Sequence, residues 1–238
     1  MVVESINQEK GFTLIELMLA SALLMTVMFA GYYGYSLYSQ KWQKRVDEYW
    51  QSTNLGIGID ALNKLLISAN NYVVKNDDGK ESVFFEANDN KIKFISNSPI
   101  MSEGTALVEI EAIDINGLKQ IIYREKNLAN YPLYLTSEIE LLDSWQHQVL
   151  LLNNIEKISW NFYGWTSFQD ALKQAEITES AGSEELRKSY QVHDYNIIRV
   201  LPVHVHISIE MQEQMSEFTV EMPNHSVFSV IANLRNDA

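Results

Sequence analysis

The sequence predicts an α+β protein in which a long N-terminal helix packs on antiparallel β-sheets. Three observations carry this. Residues 17–40 hold no charged side chain. Leu55, Ile59, Leu62, Leu66, Ala69 and Val73 then recur at alternating spacings of four and three, which places them on one face of a helix. Beyond residue 80 the chain changes to short alternating runs punctuated by Asn, Asp and Gly.

The uncharged run reads LMLASALLMTVMFAGYYGYSLYSQ. As a helix its roughly 24 residues span about 36 Å, against a bilayer core of about 30 Å that needs about 20 residues. A secretory signal has a shorter apolar region, about 7–15 residues, followed by a cleavage site of small residues. Here Tyr32, Tyr33, Tyr35 and Tyr38 follow instead, as an aromatic belt at the far end of a span. Residues 41–70 contain no proline, so the helix is expected to continue from Phe12 to about Ala69, roughly 85 Å. Trp42, Val46 and Tyr49 form an earlier stripe out of register with the one from Leu55. Gly56 and Gly58 lie between the stripes and mark a bend or a close backbone contact. Asn70-Asn71 is the expected stop.

The β-region follows from its turns. Residues 82–87 and 91–96 flank Asn88-Asp89-Asn90, and residues 106–114 and 118–125 flank Asn116-Gly117, a strong hairpin dipeptide. Asp78-Gly79 is a further turn. Residues 148–152 and 156–163 read as strands, and 202–210 with 217–222 as a late antiparallel pair. Residues 166–195 break the pattern. They are polar, with Ser183, Glu184 and Glu185 ahead of Arg187 and Lys188 as a short capped helix, and read as a mobile insertion.

Composition limits the function. Hydrophobic residues make up 46% and charged residues 21% of the 238, which supports a sizeable core and excludes a disordered or collagen-like chain. Acidic residues number 31 against 18 basic ones, a formal charge of −13, and no basic block is present, so nucleic-acid binding has no electrostatic footprint. With no cysteine, disulfides, thiolate metal sites and a Cys nucleophile are all excluded.

The junction at residues 11–20, GFTLIELMLA, resembles the type IV prepilin signal shared by type IV pilins and type II secretion pseudopilins. It has Gly11 before the cut, Phe12 after it, Thr-Leu-Ile, then Glu16 at the fifth mature position and the long apolar run. The resemblance implies cleavage between Gly11 and Phe12 by a membrane aspartyl peptidase, N-methylation of Phe12, and an assembly role for Glu16. It also implies a single pass through the inner membrane with the C-terminal domain in the periplasm. The positive-inside rule, with Lys10 upstream and Lys41, Lys44 and Arg45 downstream, points the other way and is overruled by the motif. Glu16 has its own physical logic. A carboxylate at membrane depth costs about 2.5–3.5 kcal/mol unless paired. The amine of a neighbouring subunit's first mature residue is the natural partner. The implied division is a leader over residues 1–11, a membrane or filament helix over 12–40, and a pilin-like α+β domain over 41–238.

A second pattern narrows the resemblance. A strand pair near 83–95, Gly117-x-x-x-Ile121-x-Tyr123-Arg124, Ile155-Glu156-x-Ile158-x-Trp160-x-Phe162-Tyr163, Trp165, and Leu201-Pro202-x-x-Val205 occur in that order. They look like the J-type minor pseudopilin of type II secretion. W-type minor pilins of type IV pili share much of the pattern. The J-type resemblance implies I-type and K-type minor pseudopilins as partners in a hetero-oligomer, with the prepilin peptidase as processing enzyme and no cofactor.

No enzyme motif is evident. His204 and His206 share one face of a strand and are a weak start to a metal site, with His193 or His225 as candidate third ligands. Asp77, Asp78 and Glu81 are a weak Ca²⁺ candidate without EF-hand spacing. Gly56-x-Gly58 lacks the preceding strand and third Gly of a dinucleotide loop. No nucleophile elbow frames the Ser, His and Asp residues. Trp160 and Trp165 are expected in the core rather than in a groove. A membrane-tethered periplasmic binding module is the alternative from a different class.

Overall fold

The computed structural model describes residues 11–76, 78–129, 132–140, 144–177, 186–211 and 214–223, with Val230, Ile231 and Leu234. Residues 1–10 of the leader, Asp77, Ser183, Glu184, Glu185 and His225 lie outside the described residues. The architecture is α+β, a long N-terminal helix with antiparallel sheets, consistent with a pilin-like fold.

The first helix, α1, runs Leu14–Ile67, 54 residues without a break. It contributes to both compact units of the chain, Met1–Thr53 and Asn54–Ala238. Within the first unit its large apolar side chains are exposed, apart from the half-buried Val46. Within the second, Leu62 and Leu66 are buried, with Ala69 just past the helix end, and Leu55 and Ile59 pack against the same core. Val73 leaves the expected stripe. It begins strand β1 (Val73–Lys75) with its side chain outward, because the helix has already ended. The two glycines separate. A Cβ at Gly58 would collide with the Leu152 side chain and lie 3.0 Å from Leu151 O, whereas Gly56 faces open space. Gly58 is therefore the close contact, and α1 carries no break at either position. The helix end is tied to the sheet by Ser68 Oγ against Ser96 Oγ (2.6 Å) and by Asn97 N–H donating to Ser68 O (3.0 Å).

Strand β2 (Glu81–Val83) pairs with β1. β3 (Phe85–Ala87), β4 (Lys91–Ser96), β5 (Ala106–Ile115), β6 (Leu118–Asn127) and β7 (His147–Ile155) follow one another in space as a five-stranded antiparallel sheet. The turns behave as their residues dictate. Asn116 and Gly117 both take positive φ, 57° and 84°, as a primed hairpin turn requires. Asn88 Oδ1 accepts from the Asn90 and Lys91 N–H groups, each at 3.0 Å.

β8 (Lys157–Gly164) follows β7 after one residue yet joins the other sheet. That sheet is ordered β11 (Gln214–Glu221), β10 (His204–Met211), β8, β9 (Lys188–Tyr190). Val205, Ile207 and Ile209 of β10 face the core shared by both sheets and the last turns of α1. The opposite face of the five-stranded sheet carries a second apolar cluster. Val74, Phe84, Ile95, Leu107, Leu128, Leu133 and Tyr195 meet there with Ile139 of the short helix α2 (Thr136–Glu140).

The stretch 166–195, read from sequence as an insertion, supplies core elements. Helix α3 (Phe168–Ile177) buries Phe168 and Ala171, and β9 pairs with β8. Arg199 beside it takes a positive φ of 62°. Its guanidinium donates from Nε to Glu81 O (2.7 Å) and from Nη2 to Leu234 O (3.3 Å), and lies 4.2 Å from the Phe168 ring centroid. These contacts hold the special backbone conformation in place.

Candidate functional site

The N-terminal junction is built on a helix cap. Thr13 precedes α1, and its N–H and Oγ each donate to Glu16 Oε2 at 3.0 Å, while Glu16 N–H donates back to Thr13 Oγ at 3.3 Å. This is a capping box, which satisfies donors that the first helical turn leaves free. Glu16 thus has a local task that the sequence reading missed, although Thr-x-x-Glu ahead of an apolar run is its signature. Gly11 and Phe12 stand before the cap, exposed and outside any helix or strand. A peptide bond there is open to an enzyme without unwinding α1.

The helix that follows is long and apolar enough to cross a membrane. Exposed Tyr32, Tyr33, Tyr35 and Tyr38 lie near the end of its uncharged part, and Trp42 stacks on Tyr38 with centroids 6.4 Å apart. Amphipathic rings at this level suit a membrane interface.

The metal candidates do not assemble. His204 and His206 do share the outer face of β10, as the alternation requires. His204 stacks on Tyr163 at 4.6 Å and His206 Nδ1 lies 3.1 Å from Thr219 Oγ. His193 is fully buried, with Nδ1 2.9 Å from Tyr190 Oη. Asp78 is exposed in a turn closed by Gly79 N–H to Asn76 O (2.9 Å), and Glu81 is engaged by Lys75 at 3.0 Å. Among the described residues no three of His, Cys, Asp or Glu converge on one point. Trp160 and Trp165 are both buried in the core.

Two electrostatic features were not evident from sequence. On the outer face of the five-stranded sheet, Glu109 meets Lys91 (3.3 Å), Lys93 (3.6 Å) and Arg124 (2.7 Å). The matching Lys-x-Lys and Glu-x-Glu runs of β4 and β5 could have signalled it once their register was known. On the core face, Glu125 is buried and accepts from Tyr123 Oη, Ser102 Oγ (2.6 Å) and Met101 N–H (3.0 Å). Burial pushes its carboxyl up, but these hydrogen bonds prevail and hold it below the usual carboxylate range. Burial, reinforced by Glu125, drives the Tyr123 hydroxyl well above its ordinary value. Ile100 N–H in turn donates to Tyr123 Oη at 3.1 Å, so the pair anchors residues 100–102.

Residues 6–32 match the family model described as the prokaryotic N-terminal methylation motif. The chain therefore carries a type IV prepilin-like signal on an α+β scaffold, which supports a place among pilin and pseudopilin proteins. The apolar helix with this motif is that of a membrane-anchored, single-pass protein. No curated protein matches the chain significantly.

Proposed function

We propose that this chain is a J-type minor pseudopilin of the type II secretion system. In this reading it belongs to the tip complex that initiates pseudopilus assembly for export of folded proteins across the outer membrane. It is not an enzyme. It is processed by the prepilin peptidase and held in the inner membrane with its domain in the periplasm. Its partners are the I-type and K-type minor pseudopilins. The observation that carries the reading is the Gly11-Phe12 junction with Glu16 at the head of an uncharged helix, inside the matched residues 6–32.

The partner claim is tested by co-purifying separately tagged domains of this chain and of the I-type and K-type subunits from the same system. A heteromeric species at micromolar concentration is expected by size exclusion with light scattering. If none forms, the tip-complex reading fails, and a W-type pilus subunit or a tethered module takes its place.

Processing is tested at Gly11. A peptidase that binds extended chain at the cut has no room for a bulky side chain there. Gly11→Leu is expected to leave uncleaved, membrane-bound precursor, read by intact mass. Normal cleavage in that variant would remove the assignment.

Glu16 has two candidate tasks, the cap and a pairing with a neighbour's N-terminal amine. Losing a cap costs about 0.5–2 kcal/mol of helix stability. Glutamine keeps the capping geometry but not the charge. Glu16→Ala and Glu16→Gln are both expected to be cleaved normally and to impair secretion to a similar degree. Secretion restored by Gln alone would show that the cap, not the charge, is what assembly requires.

A further inference from the structure

Four strands form the edges of the two larger sheets, and three of them are blunted. β3 and β9 have three residues each. β7 shifts register against β6 twice and holds Asn154 at a φ of 55°. The fourth, β11, has eight residues and pairs with β10 from His204↔Glu221 to Met211↔Gln214 without a shift. Its sequence, QMSEFTVE, contains no proline and no lysine, two of the devices that usually protect an edge.

The backbone of β11 is turned for pairing. Met222 N–H donates to Val203 O at 2.9 Å. With the observed register, this gives the even-numbered residues of β11 the hydrogen bonds to β10. The N–H and C=O groups of Met215, Glu217, Thr219 and Glu221 point away from the sheet. Among the described residues, no backbone group bonds to that side.

The side chains define what fits. On the solvent face Glu217 and Glu221 are exposed, four residues and about 13 Å apart. On the inner face Val220 is buried and Phe218 half-buried against the core, which forms an apolar shelf at the edge. We infer that β11 is a docking edge for an extended segment of another polypeptide, one that alternates apolar residues with basic ones. Main-chain bonds to the outward groups supply affinity, and the alternate side chains supply selectivity. A second copy of this chain is disfavoured, because it would bring an acidic strand and a formal charge of −13 to the same edge. The inference depends neither on the membrane anchor nor on the proposed assembly.

The test uses the full chain in detergent micelles and a labelled peptide, Thr-Val-Lys-Val-Thr-Val-Lys-Val-Thr, with a control bearing Glu in place of Lys. Anisotropy against empty micelles is expected to show at least tenfold tighter binding of the Lys peptide at low salt. Amide exchange is expected to slow at Met215, Glu217, Thr219 and Glu221 when it binds. Thr219→Pro removes an outward N–H without costing a bond to β10, and is expected to weaken binding at least tenfold. The double variant Glu217→Lys, Glu221→Lys leaves every backbone group in place and is expected to reverse the peptide preference, whether or not the proline variant folds. Equal binding of both peptides, or a preference unchanged in the double variant, overturns the inference. So does protection of the outward amides before peptide is added, because the edge is then already covered by the chain itself or by a second copy.

Discussion

Phe162→Ala is expected to destabilise the globular unit by about 3–5 kcal/mol, the cost of removing a buried aromatic ring and leaving a cavity. Phe162 is fully buried in β8 at the place where the two sheets share their core. Its ring lies 5.9 Å edge-on from Phe85 of the five-stranded sheet, and 5.8 Å in a stack from Tyr190 of β9. Truncation therefore removes contacts between sheets as well as within one. Domains of this size are stable by about 5–15 kcal/mol, so the loss is a large share of the total. Residues 42–238 retain the whole of the compact unit that begins at Asn54 and leave out the uncharged span, which makes them the suitable chain for the measurement. Thermal unfolding followed by circular dichroism is expected to move down by roughly 6–20 °C. Leu150→Ala, at a side chain 49% exposed, is the control and is expected to change stability by less than about 0.5 kcal/mol. A Phe162→Ala shift no larger than the control would mean that the sheets do not share this core.

What sequence alone revealed here is what local rules govern. α1 was legible because its uncharged run, its freedom from proline and its periodic stripe are all local features of the chain. The β3–β4 and β5–β6 hairpins were legible because Asn88 and Asn116-Gly117 specify their turns. Pairings over long range were not. β7 and β8 are separated by Glu156 alone, yet they lie in different sheets, because β8 buries Ile158, Trp160 and Phe162 against β10 instead. β1 and β9 have three residues each, too few to show any period. α3 was missed although Phe168, Ala171, Leu172 and Ala175 recur at helical spacing and pack on the core, because the stretch around them is polar. At the N-terminus the peptidase motif was legible, but the cap between Thr13 and Glu16 occupies the same letters and was overlooked. Glu125 was obscure for a different reason. A carboxylate in a strand reads as solvent-facing, and only the fold supplies Tyr123, Ser102 and Met101 to hold it inside.

Acid is expected to weaken the domain in two steps, and His193 accounts for the first. Its ring is fully buried, 4.9 Å from the Phe85 centroid and 6.4 Å from that of Phe162. Nε2 is buried without a well-formed hydrogen bond. Burial pushes the imidazole down to about 3, and the backbone of Val200 offsets this only in part. An unfolded chain takes up a proton at this side chain near the ordinary value of about 6.5, whereas the folded chain does not until about 3. The unfolded state then binds more protons throughout that interval, so stability falls as pH falls, with a slope approaching about 1.4 kcal/mol per pH unit. Glu125 adds a second loss lower down. Its folded carboxyl is held below the usual range, so the stability it contributes is present above that range and disappears as pH drops through its folded value. The two steps are separable by substitution. His193→Leu combined with Tyr190→Phe removes the titrating ring and the hydroxyl that hydrogen-bonds to it. Urea unfolding of residues 42–238 is expected to show a midpoint that falls more steeply between pH 7 and pH 5 in the native sequence than in the double variant. The remaining histidines are common to both proteins and cancel in the comparison. Equal slopes would mean that His193 reaches solvent and titrates in the folded state.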